Sequence, residues 1–221
     1  MCFSATASFT AAAVTGSIGT LTLRSAVAKH DYRVLPFASF PLLFAAQQLT
    51  EGFIWLDLAG LAPGALRTVL IHAFQGYAEV VWPVFAPLAV LLIEPERRRR
   101  RLILPCLAVG ILLSAYLLTT MMTHPYDAFV GSGHIVYENG YQHPTGIEVP
   151  YVVATTISLL LSSHRIVQIF GAVIFVGFAV AYISFYEAYT SIWCFFAAAA
   201  SVLVYLFISR APQSALQPRA T

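Results

Sequence analysis

Apolar residues fall into seven blocks along this chain, at about 7–28, 34–58, 68–93, 102–122, 149–163, 167–187 and 190–209, divided by short polar breaks. Blocks of roughly 20 residues match the apolar core of a bilayer. Backbone groups in hydrocarbon must be satisfied within their own segment, so each block is expected to be a helix. The fifth is short, and only Ala188 and Tyr189 divide the sixth from the seventh. The predicted fold class is all-α, a polytopic membrane helical bundle of about seven transmembrane helices forming one domain over 1–211. A polar tail at 212–221 is expected to be disordered on the cytoplasmic side. The one long connection, 123–148, carries His124, His134 and His143 with several acids and tyrosines. A loop of that length is either a binding lid or a loose cover over helix ends.

Composition agrees with the blocks. Of 221 residues, 59% are hydrophobic and 10% charged, whereas soluble domains carry about 25% charged residues. No basic face outside one short run suits nucleic acid, which is excluded as a partner. The three cysteines, Cys2, Cys106 and Cys194, form no paired motif, so neither a disulfide framework nor a structural zinc site is indicated. The N-terminus lacks the basic region of a secretory leader, and the first block is expected to be retained as a span.

Charge sets an expected orientation. With the N-terminus outside, eleven of the twelve basic residues (Arg24, Lys29, Arg33, Arg97 to Arg101, Arg165, Arg210 and Arg219) fall on the inner side, and only Arg67 falls outside. That asymmetry predicts an N-out, C-in protein of a cell (inner) membrane. The run EPERRRRR at 94–101 reads as the topogenic signal after the third helix, or as a patch for anionic lipid.

Most polar residues within the blocks are small. Ala12, Gly16 and Thr20, then Thr155 and Ser158, then Ser191, Cys194, Ala198 and Ser201, read as helix-packing faces. Tyr182, Tyr186, Tyr189 and Trp193 read as an interfacial aromatic belt.

Glu51, His72 and Glu79 are different. A charge at mid-bilayer costs about 2.5–3.5 kcal/mol on insertion scales, so such a group is expected to face the protein interior and to have a role. Gln47 and Gln48 lie one turn before Glu51, and His72, Gln75 and Glu79 share a stripe of the third helix. Facing one another, these residues would make a polar funnel open to the outer loop. Pro83 removes the hydrogen bond to the Glu79 carbonyl, predicting a break beside that acid. Broken helices near the midplane are where transporters hold ions and solutes. The alternative is a neutral Glu79 that locks two helices together.

A divalent metal ion is a candidate cofactor, with Glu51, His72, His124 and His143 as ligands supplied by separate elements. Cys2 would present an amine and a thiolate if Met1 is removed. A retinal cofactor is excluded, since the only lysine is Lys29 and such proteins need one in the last helix.

The opening string MCFSATASF, the Gln47, Gln48 and Glu51 segment, and the stretch holding Ser191, Trp193 and Cys194 together resemble an uncharacterised family of small bacterial multi-pass membrane proteins. The resemblance implies an integral membrane protein and singles out Cys2, Ser4, Glu51 and Trp193, but it carries no activity.

Three functions follow as expectations. The first is a small-solute, proton or cation carrier or channel, with an outward-facing site on the second and third helices. The second is a membrane-embedded hydrolase or transferase acting on lipid, with Glu51 or His72 as base or metal ligand and Cys2 or Ser4 as nucleophile. The third is a receptor or membrane-complex subunit.

Overall fold

The computed structural model describes residues 4–62, 64–184 and 189–210. Helix α1 spans Ala5–Val27. Ser4 caps it, its hydroxyl accepting from the Ala7 amide at 3.2 Å. Many of its side chains are polar, yet Thr10, Thr15, Ser17, Thr20, Thr22 and Ser25 each donate back to a carbonyl four residues earlier. Such internal bonds let a hydroxyl-rich helix lie in apolar surroundings.

The second rod joins α2 (Leu35–Ala38) to α3 (Phe40–Leu58). The third, Gly64–Ile93, consists mainly of α4 (Arg67–Gln75), a π-helical stretch Gly76–Val81 and α5 (Trp82–Ile93). Helix α6, Arg97–Thr123, starts five residues before the expected boundary, because the arginine run forms its first turn. The fifth rod, Glu148–Leu160, contains α7 (Glu148–Val152), a second π-helical stretch (Val153–Ile157) and α8 (Ser158–Leu160). Helices α9 (Arg165–Ser184) and α10 (Tyr189–Arg210) complete seven helical rods among the described residues.

Among the described residues, four helices are long and apolar enough to cross a membrane: Gly64–Ile93, Arg97–Thr123, Arg165–Ser184 and Ile192–Arg210. The expected tail at 212–221 lies outside the described residues.

The long connection is not loosely structured. It folds into an antiparallel hairpin of β1 (Asp127–Gly131) and β2 (His134–Glu138), with Val130 opposite Ile135. Ser132 and Gly133 turn it, both at positive φ (50° and 80°), the backbone that a tight hairpin of right-twisted strands demands. Ala128 and Ile135 are buried against Ile54, Ile71, Phe74 and Met121, and the Tyr137 ring stacks on Phe74 at 4.8 Å. The hairpin thereby covers the ends of α3, α4 and α6.

Rings of Phe37, Phe40, Phe44, Trp82, Phe170 and Phe207 build the main core, with Phe44 stacked on Trp82 at 4.2 Å. Glycines bring α1 against α3. A methyl added at Gly19 would meet Leu42 at 2.6 Å, and one at Gly52 would meet Phe9 at 2.7 Å. The buried face of α1 is Ser8, Ala12, Thr15, Gly19, Thr22 and Ala26. The packing face therefore turns away from the expected stripe, and Thr20 is exposed.

The opposite end of the bundle is closed by Glu94. Its carboxylate accepts from Ser162 Oγ at 3.1 Å, the Ser163 amide at 2.7 Å and the Glu96 amide at 3.0 Å. Arg99 donates to the Leu161 and Ser162 carbonyls at 3.0 and 3.1 Å, filling acceptors left open where the fifth rod ends.

Candidate binding cleft

The third rod breaks where its sequence requires. Pro83 has no N–H to give Glu79, and the chain widens over Gly76–Val81, so that the Trp82 amide reaches the Tyr77 carbonyl five residues back. Carbonyls released by the wide turn are taken up from neighbouring rods. Tyr151 OH donates to the Ala78 carbonyl, and Ser114 Oγ donates to the Val80 carbonyl at 2.8 Å. Helix α6 comes close enough that a methyl at Gly110 would sit 1.8 Å from the Pro83 carbonyl oxygen.

Glu79 is carried on this break. Tyr126 OH donates to its Oε1 at 2.6 Å, while Oε2 is buried with no hydrogen-bond partner. The carboxyl group lines a small cleft of about 60 Å³, whose other polar walls include His143, Glu148 and Cys194. Leu117, Phe178, Tyr151 and Trp193 make the apolar walls. The Trp193 ring meets Tyr151 at 5.1 Å and Phe178 at 4.9 Å, and its indole N–H donates to the Ile174 carbonyl at 3.1 Å.

Tyr151, Trp193 and Cys194 also wall a second, small cavity of about 40 Å³, lined by Phe40, Phe44, Trp82 and Ile174 with Thr155 among its few polar groups. In the cleft wall, His143 lies 3.4 Å from Tyr116 OH and 5.1 Å from the Tyr141 ring. Burial holds its imidazole below the usual histidine range, with Glu148 pulling weakly the other way.

The remaining sequence candidates take other places. Gln47 is fully buried, donating to Cys194 Sγ and accepting from Trp82 Nε1, both at 3.1 Å. Glu51 is also fully buried and accepts from Ser8 Oγ at 3.3 Å, so it faces α1. Gln48 is buried with both amide atoms unpaired, and Gln75 is buried with its oxygen unpaired.

His72 sits on α4 with its Nδ1 2.7 Å from the Thr68 carbonyl. His124 lies 2.9 Å from Thr123 Oγ1. Glu51 and Glu79 thus look to different neighbours, Ser8 on α1 and Tyr126, while the hairpin packs over the ends of the second and third rods. Among the described residues no three histidine, cysteine or acidic side chains converge as metal ligands. Ser4 serves as a helix cap, and Cys2 lies outside the described residues. Trp193 is buried in the cleft wall, not in an interfacial belt; Tyr182 is half-buried, and the side chains of Tyr186 and Tyr189 lie outside the described residues.

Tyr126, Glu148, Tyr151 and Phe178 are site residues that sequence reasoning missed. One signal was available: Glu148 and Tyr151, three apart, share a helix face, so a carboxylate and an aromatic ring enter the same cleft.

The chain belongs to the DUF6629 family, a family of unknown function, whose model matches residues 1–219. No curated protein and no solved structure matches it.

Proposed function

We propose that the protein is a seven-span carrier or channel of a bacterial inner membrane, N-terminus outside, moving a small solute or cation through the cleft beside Glu79. One observation carries this reading: a carboxylate with one unpaired buried oxygen stands on a helix break and lines a cleft. An acid that served only to lock helices would be expected to have both oxygens bonded, since an unpaired buried acceptor costs about 1–3 kcal/mol. The site is Glu79 and its surroundings on the third to seventh rods. Glu51 and Gln47 support it from behind.

The sorting of basic residues supports the orientation. Helices α1 and α3 fall short of spanning apolarity, but α1 satisfies its hydroxyls internally and α3 turns Gln47, Gln48 and Glu51 inward. Both are compatible with spans.

The test is flux of protons or monovalent cations in proteoliposomes, read with an entrapped dye. Glu79→Gln is expected to lower flux at least about tenfold while thermal unfolding in detergent stays close to wild type. Wild-type flux in that variant would overturn the proposal.

A further inference from the structure

The chemistry of the cleft walls narrows the solute, on the reading that this cleft is where the solute sits. None of the residues that line it is a lysine or arginine, while Glu79 and Glu148 both do. His143, held below the usual histidine range by burial, adds no positive charge near neutral pH. An anion would therefore meet two carboxyl groups with no cation to pair it.

The aromatic walls point the same way. Tyr151 spends its hydroxyl on the Ala78 carbonyl, and Trp193 spends its N–H on the Ile174 carbonyl. With those polar ends occupied, both side chains recognise a ligand through their rings, and ring faces attract cations. The adjoining cavity, walled by Phe40, Phe44, Trp82 and Ile174, is apolar and shares the walls Tyr151, Trp193 and Cys194 with the cleft. A bare metal ion or proton has no use for that second compartment.

We infer that the cleft binds an organic ammonium ion, its charged head beside Glu79 and Glu148 against the rings of Tyr151 and Trp193, and its apolar body in the second cavity. The head group can belong to a free solute or to an ammonium-bearing lipid, and both share this chemistry.

Calorimetric titration of the full chain in nanodiscs tests it, with hexyltrimethylammonium as probe, hexanoate and hexanol as anionic and neutral counterparts, and potassium as the inorganic cation. Saturable binding of the ammonium alone is expected, weakened about tenfold or more by Glu79→Gln and by Trp193→Leu, as loss of a charge pair or a cation–π face implies. Glu148→Gln, at the mouth, gives a second readout should Glu79→Gln fail to fold.

Equal binding of hexanol or hexanoate, lost in Glu79→Gln, would overturn the ammonium assignment and leave the cleft as a solute site. Potassium binding without ammonium binding would do the same in favour of an inorganic ion. No binding by any probe, or ammonium binding unchanged in Glu79→Gln and Glu148→Gln, would overturn the cleft reading itself. Nanodiscs with and without phosphatidylcholine separate the sources: competition by that lipid marks a lipid headgroup, and its absence marks a free solute.

Discussion

Gln47 shows how one side chain holds the back wall of the cleft. Its amide links the Cys194 thiol on α10 to the Trp82 indole on α5, joining three rods through one fully buried group. Gln47→Leu would keep the volume but leave the indole N–H without its acceptor. We expect a loss of about 1–3 kcal/mol, the cost of orphaning one buried donor, measurable by denaturant unfolding in detergent followed by tryptophan fluorescence. A second residue sets a pH response. His134 is buried in β2, and desolvation lowers its pKa from the ordinary value of 6.5. The unfolded chain therefore takes up a proton first as pH falls. The stability contributed by the neutral ring is complete above 6.5 and is lost as pH drops from there toward the lower folded value. Protection factors of the β1 and β2 amides, referred to the intrinsic exchange rate at each pH, should fall between neutral pH and pH about 5, and His134→Gln should flatten that dependence.

At the scale of elements, the break at Gly76–Val81 and its seat on α6 govern the cleft. Gly110→Ala would drive a methyl to 1.8 Å from the Pro83 carbonyl, a backbone atom that cannot yield without parting α5 from α6. Overpacking of this kind costs about 1–3 kcal/mol. Gly76→Ala meets nothing within 4 Å and should be neutral or stabilising by up to about 1 kcal/mol, since alanine favours helix. Thermal unfolding of the two variants side by side checks the contrast. The helix break itself was legible from Pro83, because a missing N–H is a local fact. So were the seven rods, because apolar blocks and their breaks are local too. Partners were not: Tyr126 reaches Glu79 across 47 residues and Tyr151 reaches Ala78 across 73, and no periodicity records such distances. The hairpin was half legible. Gly131, Ser132 and Gly133 between two alternating runs are its signature, obscured by the histidines and acids that drew a functional reading of the loop. The separate neighbours of Glu51 and Glu79 were not legible either, since which rod packs against each helix face is set by the whole bundle.

The whole molecule separates its charges by end. Contacts of Glu94 with Ser162, of His164 with the Ile93 carbonyl, and of Phe37 with Phe207 gather the connections after α5 and α8, the start of α2 and the close of α10 at one end. Arg97, Arg98 and Arg101 are exposed there. At the other end stand the hairpin and Arg67, whose guanidinium is paired with Asp57 at 2.6 Å. The one basic residue placed against the trend is thus matched by an acid, which leaves the asymmetry sharper than a residue count implies. The fifth rod adds a constraint: its 13 residues (Glu148–Leu160) reach only about 20 Å at the helical rise of 1.5 Å, short of a hydrocarbon core of about 30 Å. At the start of that short rod Glu148 lines the cleft together with His143 from the preceding connection. If the seven rods cross the membrane with the hairpin outside, single cysteines placed in a background lacking the native three should divide cleanly. Ser132→Cys, at the hairpin tip, should react with a membrane-impermeant maleimide on intact cells. Arg98→Cys should react only after the cells are permeabilised. Labelling of both from outside would require an even number of crossings between α6 and the hairpin, which a single apolar helix, Arg97–Thr123, cannot make.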